Sequence, residues 1–322
     1  MAEPDVTVVV PTRDRWPLLS TAALPSALGQ EGVDLEVVVV DDGAADETPE
    51  LLRALADPRL RVLRHPSPRG VAPARNAGIE EARGKWVAFL DDDDLWSPHK
   101  LRRQLDAARG ETAFVYTGAA WLDERSRFLY GLRPADPGGL ARELLRWNVI
   151  WAGGSNVVAR ADVLRQVGGF DERLFQLADW DLWIRLALAG PAAAEPELLV
   201  GYVMQPASML LTDRRPVFRE LDYLMTKHRR AAERLAVAAD RARFARWVAR
   251  GHLRAGRRLT AARTYAAGAV RYRDPASIGR AAAALFGEGG LTRARALAGP
   301  ARDDDSRWRV EGAEPDWIAL YR

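Results

Sequence analysis

The sequence of 322 residues contains no cysteine, four histidines and only three lysines against 44 arginines. The absence of cysteine excludes a disulfide framework, a thiolate zinc site and a cysteine nucleophile. The four histidines are scattered without the spacing that metal ligands usually show, which argues against a histidine metal site. Carboxylates therefore remain the main candidates for metal binding and for acid–base chemistry.

Long apolar segments are missing as well. No run approaches the roughly 18 apolar residues of a membrane-spanning helix, and the start, MAEPDVTVVVPTRDR, lacks the basic and apolar regions of a signal peptide. With 48% hydrophobic residues, the chain can bury the core of one large or two ordinary domains. We expect a globular protein of the cytoplasm and leave a peripheral membrane contact open.

The two parts of the chain differ in charge. Residues 1–212 carry 23 basic and 31 acidic side chains, a formal charge of −8, whereas residues 213–322 carry 24 and 13, a charge of +11. A basic region can contact an anionic membrane, nucleic acid or an acidic partner, or it can simply expose solvated arginine. Interleaving of the arginines with alanine, leucine and tryptophan at helical spacing favours the last interpretation.

Apolar β-branched runs alternate with helix-like segments in the first hundred residues. Strands are predicted at residues 6–10, 35–40, 60–63 and 86–90, with helices at 16–28, 48–56 and 72–83. This pattern predicts an α/β fold with a mainly parallel sheet. Helical patterns rich in alanine and arginine dominate from residue 216 to about 285, so we divide the chain into domains 1–212 and 213–322.

Polar clusters follow three of the predicted strands, at residues 11–14, 41–43 and 91–94. Because the carboxyl ends of parallel strands meet at one edge of a sheet, we expect these clusters to form one site. Residues 91–94 are four consecutive aspartates, and like charges this close raise each other's pKa values unless a cation shares them. Oxygen ligands suit Mg²⁺ or Mn²⁺. The aspartates therefore predict a metal site, with a solvated loop or a helix cap as the alternative.

Four motifs follow one another along the chain: VTVVVPTRDR (6–15), VVVVDDGAADET (37–48), GVAPARNAGIEEARGKWVAFLDDDDLWSPHKL (70–101) and GGFDERLFQLADWDLWIRLA (168–187). In these motifs the chain resembles a family 2 glycosyltransferase of the GT-A fold over about residues 5–212. The resemblance implies transfer of a sugar from a nucleoside diphosphate donor to an acceptor nucleophile, with inversion at the anomeric carbon.

The resemblance implies a nucleotide site at the ends of the strands. Asp42 is the residue expected to accept a hydrogen bond from N3–H of a uracil or thymine base, which implies a UDP- or dTDP-sugar donor. Asp42 and Arg75 each have a structural alternative to a role in nucleotide binding. Asp42 could cap the next loop, and Arg75 could form an ion pair with the aspartates. The expected nucleotide-binding residues are Pro11, Thr12, Arg13, Asp42, Arg75 and Asp92.

The resemblance also implies a metal and a catalytic base. Asp93, with Asp91, is expected to hold Mn²⁺ or Mg²⁺, while Asp94 is expected to cap the following helix. Asp179 matches the family's catalytic carboxylate, and Asp181 is its competitor. An N-cap role is the structural alternative for Asp179.

The acceptor pocket is the least specified part of the expected site. Relatives often carry histidine at the position of Gln205, which leaves the metal dependence open. The resemblance leaves the acceptor unknown, with a glycan, a natural product or a peptide as the candidate classes. We expect the basic region to serve acceptor recognition, dimerisation or membrane contact without a nucleic-acid partner. The expected pocket residues are Trp151, Gly154, Ser155, Trp180, Asp181 and Gln205.

Two other functional classes compete with a glycosyltransferase. A sugar-1-phosphate nucleotidylyltransferase would need a glycine-rich basic loop after the first strand, whereas PTRDRWP contains no glycine. A degenerate transferase that acts as a scaffold through its basic helices is the non-enzymatic alternative. Asp42, Asp93 and Asp179 argue against that degeneration, and Gln205 keeps the alternative open.

Overall fold

A computed structural model describes residues 3–204, 217–297, 306–310, 312 and 314–322. Within these residues a ten-stranded mixed sheet forms the centre of the fold, in the order β10-β7-β6-β8-β4-β1-β2-β3, with β9 bonded to β5 and β6. The strands are β1 Val6–Thr12, β2 Leu35–Asp41, β3 Leu60–Arg64, β4 Trp86–Phe89, β5 Leu95–Trp96, β6 Phe114–Leu122, β7 Phe128–Leu132, β8 Val158–Arg160, β9 Ala192–Val203 and β10 Arg309–Val310.

The first four strands form the parallel half of the sheet that the sequence predicts. β1 lies between β2 and β4, and β3 pairs with the outer side of β2, all in parallel. Their valine-rich runs are fully buried in β1 and β2 because helices cover both faces. The predicted strands at residues 6–10, 35–40, 60–63 and 86–90 are thereby confirmed.

The helices of the first part connect these strands and cover the sheet. Three consecutive helical segments, Trp16–Leu18, Leu19–Ala23 and Leu24–Leu28, make up α1. The following helices are α2 Thr48–Ala54, α3 Val71–Glu81, α4 Lys100–Ala107, α5 Leu140–Arg146, α6 Ala161–Gln166 and α7 Ala178–Ala189.

Strand β6 joins two short apolar runs, residues 113–116 and 119–122, that the sequence pattern alone would assign to two separate strands. It is continuous through Gly118, and a side chain at that position would come within 2.8 Å of Leu198 on β9. The glycine therefore permits close approach of β9 and does not break the strand. Strand β9 itself is a twelve-residue strand that the sequence analysis did not predict.

The C-terminal helices are α8 Val217–Lys227, α9 Arg229–Arg234, α10 Arg241–Arg254, α11 Arg258–Arg271, α12 Ala276–Ala284 and α13 Gly287–Leu297. Residues 255–257 separate α10 from α11, and Pro275 directly precedes α12. α8 and α10 pack on the main core through buried residues such as Leu221 and Phe244, whereas α10 to α13 also form a second apolar cluster.

The chain returns to the sheet near its C-terminus. Strand β10 pairs with β7, and Ile318 is buried against Leu95, Ala120 and Leu122. The region after residue 212 therefore contributes both a helical bundle and an edge of the central sheet, and the domain division at that residue stays a prediction. None of the helices in the described residues has the length and apolarity needed to cross a membrane.

Candidate active site

The ends of β1, β2 and β4 bring three polar clusters together. The backbone N–H of Asp42 donates to the carbonyl of Thr12, at 2.9 Å, and so continues the pairing of β1 with β2. The Thr12 hydroxyl donates to Asp92 Oδ2, at 2.8 Å, and so links β1 to the aspartates that follow β4. The edge of the sheet at which the sequence predicts a site therefore carries a connected set of polar side chains.

The carboxylate of Asp42 is buried and held from two directions. His65 Nδ1 lies 2.8 Å from its Oδ1, and the backbone N–H groups of Arg69 and Gly70 donate to it at 2.9 and 2.7 Å. Asp42 thus holds the loop before α3, which follows β3, whereas the structural alternative stated above concerned the next loop after Asp42. A carboxylate has about four acceptor positions, so these bonds orient Asp42 and leave capacity for one further donor.

Arg15, which the sequence analysis did not select, occupies the centre of the acidic cluster. Its Nη1 lies 2.7 Å from Asp92 Oδ1, and its Nη2 lies 2.5 Å from Asp93 Oδ2. Arg13 instead has an exposed side chain that pairs with Asp14 at 3.3 Å. Of these two arginines, Arg15 is therefore the one that contacts the predicted metal and nucleotide site.

Burial and mutual repulsion raise the pKa values of three of the four aspartates. Burial raises the pKa of Asp92 to about 7, with Arg15 opposing the shift and Asp93 adding to it. Burial likewise raises the pKa of Asp93, where Arg15 lowers it and Asp91 raises it again, and holds that of Asp94 well above the usual range. These three carboxylates therefore hold a proton more readily than free aspartate does, and a bound cation would favour their ionised form.

Arg75 joins the acidic cluster to the loop before β8. Its Nη2 forms an ion pair with Asp91 Oδ1, and its guanidinium lies over the Phe170 ring, 5.1 Å from the centroid. A Cβ on Gly154 would stand 2.6 Å from Arg75 Nη2, so only glycine allows this approach. Arg75 Nε is buried without a hydrogen-bond partner among the described residues.

Ser155 and Asp94 fix the shape of the acidic loop. The Ser155 hydroxyl accepts from the backbone N–H of Asp91 at 3.0 Å and donates to Asp94 Oδ2 at 2.5 Å. Asp94 Oδ1 accepts from the backbone N–H of Val203, at 3.1 Å. The expectation that Asp94 caps the following helix is wrong, because its buried carboxylate ties the loop to β9 and to the turn at residues 153–156.

Asp179 lies in the first turn of α7, close to this cluster. The N-cap position is Leu177, so Asp179 does not cap the helix, and its Oδ1 accepts from the next backbone N–H, at 2.7 Å. Its Oδ2 faces Gly153, where a Cβ would lie 3.1 Å away. Burial raises the pKa of Asp179, while Arg75 lowers it and Asp91 raises it further, with a net rise. These shifts suit a carboxylate that takes up a proton.

Asp181 lies elsewhere, contrary to its assignment to the acceptor pocket. Its fully buried carboxylate contacts Arg185 Nη2 at 2.6 Å, Lys227 Nζ at 2.8 Å and His228 Nε2 at 2.8 Å. Burial alone would raise its pKa, but the hydrogen bond from His228 and the charges of Arg185 and Lys227 outweigh burial, so the pKa is lowered. Asp181 therefore anchors α7 to α8 and the start of α9.

Replacing Asp181 with alanine should lower the free energy of unfolding by about 3–5 kcal/mol, because it leaves buried cationic groups without their carboxylate. Urea denaturation at pH 7 measures this loss. A carboxylate with a lowered pKa stabilises the fold above its unfolded pKa of about 4 and loses this contribution as pH falls. The difference from wild type should therefore shrink below about pH 4, and Asp162→Ala, on an exposed helix start, serves as the control.

Two tryptophans of the expected pocket are part of the core. Trp180 is buried, its Nε1 donates to the carbonyl of Leu144 at 2.6 Å, and its ring stacks on Phe244. Trp151 is also buried, and its Nε1 donates to the carbonyl of Arg133 at 2.9 Å. Neither indole presents an open face to a sugar, which corrects both assignments. Large aromatic residues are more often core than ligand platform.

A row of three half-buried aromatic rings crosses β7, β6 and β9 near the acidic cluster. Trp121 stacks on Tyr130 with a centroid distance of 5.4 Å and lies 5.6 Å from Tyr202. Burial raises the pKa of Tyr202, and the charges of Asp94 and Asp93 raise it further, so its hydroxyl stays protonated beside the aspartates. Sequence analysis missed Tyr202 because β9 was not predicted.

The described residues do not form a complete metal site. They include no group of three or more acidic or histidine side chains placed to hold a metal ion. Asp91 and Asp93 offer oxygen donors of the right chemistry, but each is paired with an arginine. Because Mg²⁺ is commonly bound by one or two carboxylates plus substrate phosphates, this donor set fits a metal that arrives with a nucleotide. Gln205 lies outside the described residues.

Comparison with known protein families gives a match that covers half of the chain. Residues 7–168 match the family described as Glycosyl transferase family 2. The succinoglycan biosynthesis protein ExoO of Rhizobium meliloti is 39% identical over an alignment of 217 positions that covers 62% of this chain and 60% of that protein. This chain thus spans less than two thirds of the length of that relative.

Two solved structures share the fold. TarS 1-349 of S. aureus, in complex with UDP-GlcNAc, superposes with a TM-score of 0.55 at 16% identity and covers 83% of this chain and 73% of that chain. The mannosyltransferase PcManGT from Pyrobaculum calidifontis, in complex with GDP-Man and Mn²⁺, superposes with a TM-score of 0.54 at 21% identity. The match covers 91% of this chain and 84% of that chain. At these identities the likeness shows the fold, which is GT-A as the sequence predicts.

Proposed function

Because this chain belongs to glycosyl transferase family 2, we propose that it transfers a sugar from a UDP- or dTDP-sugar to a hydroxyl or other nucleophile of an acceptor. The transfer inverts the anomeric carbon and is assisted by Mn²⁺ or Mg²⁺. A glycan is the favoured acceptor class, since the similar protein ExoO is named for succinoglycan biosynthesis.

One observation carries this proposal: three acidic groups lie around one edge of the sheet. They are Asp42, the four aspartates at residues 91–94, and Asp179, whose pKa is raised. Asp42 joins the cluster through the pairing of β1 with β2. Arg75 pairs with Asp91 and lowers the pKa of Asp179, so it lies between cluster and base. The donor would then bind on the side of Arg75 that carries the acidic cluster, and the acceptor would lose its proton on the other side, at Asp179.

The residues of this chain divide the reaction between them. Asp42 would accept from the base, and the guanidinium of Arg75 would donate to a phosphate oxygen. Asp91 and Asp93 would hold the divalent metal, which supplies Lewis-acid stabilisation of the departing diphosphate. Asp179 would take the proton of the acceptor nucleophile.

The base specificity is testable on the free protein. UDP and dTDP should bind more tightly than GDP in the presence of Mn²⁺, because Asp42 can accept the N3–H that uracil and thymine share. Loss of a charge-assisted hydrogen bond costs about 1.5–3 kcal/mol, so Asp42→Asn should weaken UDP binding roughly tenfold or more in calorimetry. Since the side chain also caps a loop, the melting temperature must be compared. Tighter binding of GDP by the wild type would refute the assignment.

One observation favours the scaffold alternative. Arg15 spans Asp92 and Asp93, and Arg75 pairs with Asp91, so arginines already neutralise the predicted metal ligands. Incubation with a panel of nucleoside diphosphate sugars and candidate glycan acceptors decides between the two functions. Acceptor-dependent release of the nucleoside diphosphate supports the transferase, whereas nucleotide binding without any release across the panel supports the scaffold.

A further inference from the structure

Two neighbouring helices in the C-terminal region expose large apolar side chains. On α11, Leu259 is 66% exposed and Val270 is 83% exposed; Ile278 on α12 is 65% exposed, and Phe286 just after α12 is 76% exposed. With Leu285 they make up five of the nine large apolar residues that are exposed in the described part of the chain. Scattered exposed residues are normal, but a cluster marks an interaction surface. We call these five residues the apolar patch.

The patch faces outward from the bundle. α11 buries Ala261, Tyr265 and Gly268, and the helical repeat of 3.6 residues places Leu259 and Val270 on the opposite side. Residues of α11 and α12 share the second apolar cluster, so the two helices are packed together. Gly287, after α12, adjoins Arg258 at the start of α11, which brings the two ends of the patch side by side.

The surroundings of the patch are strongly basic. Residues 241–292 contain eleven arginines and two acidic residues, and one of the two, Asp274, is already paired with Arg246 at 2.7 Å. Arg258, Arg263 and Arg273 are exposed and form no ion pair with any residue that the structure describes. A ligand for this surface must therefore offer an apolar phase and negative charge together.

We propose that the apolar patch and its arginines bind the surface of an anionic lipid bilayer. Apolar side chains would enter the boundary between headgroups and acyl chains, and the arginines would contact acidic headgroups. A second copy of the chain fits less well, because two arginine-rich faces would repel each other. Nucleic acid would engage the arginines but leave the aliphatic side chains without a partner.

Co-sedimentation of the full chain with vesicles tests the proposal. Binding to vesicles of phosphatidylcholine mixed with phosphatidylglycerol should exceed binding to phosphatidylcholine alone roughly tenfold or more, because each basic side chain contributes about fivefold near an anionic surface. The preference should weaken as salt is raised. The double variant Val270→Ser/Phe286→Ser should lose about tenfold or more in binding to the mixed vesicles.

The matched control removes two exposed leucines from other surfaces. Leu55→Ser/Leu129→Ser should bind the mixed vesicles like wild type, since these residues are 40% and 43% exposed outside the patch. Three outcomes overturn the proposal. The first is equal binding of the wild type to both vesicle types. The second is an equal loss of vesicle binding in the patch and control variants, both with unchanged melting temperature. The third is a wild-type dimer in light scattering that the patch variant converts to a monomer, which would assign the patch to a second copy.

Discussion

Replacing Asp179 with asparagine is expected to lower turnover by about 10²–10⁴-fold, the usual contribution of a positioned general base. Asparagine keeps the shape of the side chain and the oxygen that accepts from the Trp180 N–H, but it cannot take up a proton. Binding of UDP and Mn²⁺ should stay close to wild type. Single-turnover measurement of sugar transfer, together with calorimetry of UDP binding, separates the two effects.

The matched control is Asp162→Asn, because Asp162 also lies in the first turn of a helix but is exposed and paired with Arg160. It should keep wild-type turnover. Near-normal turnover of Asp179→Asn would show that another group, or the acceptor itself, supplies the base. Asp181 is a poor substitute, since its carboxylate is buried among cationic groups.

The pH dependence of turnover follows from the same carboxylate. Burial holds the pKa of Asp179 above its usual range, and a base works only in its unprotonated form. Activity should therefore fall as pH decreases through this raised pKa, at a higher pH than for an ordinary aspartate, which titrates near 4. The profile is best measured on kcat/KM, which reports the free protein.

The parallel half of the fold could be predicted because its local and tertiary preferences agree. Strands β1, β2 and β4 are apolar runs bounded by polar clusters, and the chain between them has helical periodicity. Strand β9 could not be predicted in this way. It begins with three alanines and contains Pro196, so its local β propensity is low. Hydrogen bonding to β5 and β6 stabilises the strand instead.

Within the site, position could be predicted more readily than side-chain direction. The polar residues after β1 predicted the edge of the sheet at which the polar clusters meet, but only the folded loop shows that Arg15, not Arg13, reaches the aspartates. For α7, by contrast, the sequence alone is enough to show that Asp179 and Asp181 point in different directions. Residues two positions apart in a helix point about 200° apart, so Asp179 and Asp181 cannot share one pocket once the helix is predicted.

Replacing Asp93 with asparagine is expected to abolish the effect of Mn²⁺ on donor binding and to lower turnover by about 10³-fold. Lewis-acid stabilisation of a leaving diphosphate contributes several kcal/mol, and each 1.36 kcal/mol corresponds to about a tenfold change in rate. An amide supplies a neutral oxygen and no charge for the metal. Calorimetry of UDP binding with and without Mn²⁺ measures the first effect directly, and a melting curve checks that the variant folds.

The comparison with Arg15→Ala makes this result decisive, because Arg15 and a metal would compete for the same carboxylate of Asp93. If a metal assists transfer, removal of Arg15 frees Asp93, and the variant should bind Mn²⁺ at least as tightly as wild type. If instead Arg15 replaces the metal, wild-type donor binding should not respond to Mn²⁺, and Arg15→Ala should lose turnover that Mn²⁺ does not restore. An unchanged Mn²⁺ response in Asp93→Asn, with full turnover, would remove Asp93 from the metal site and leave Asp91 as its remaining candidate.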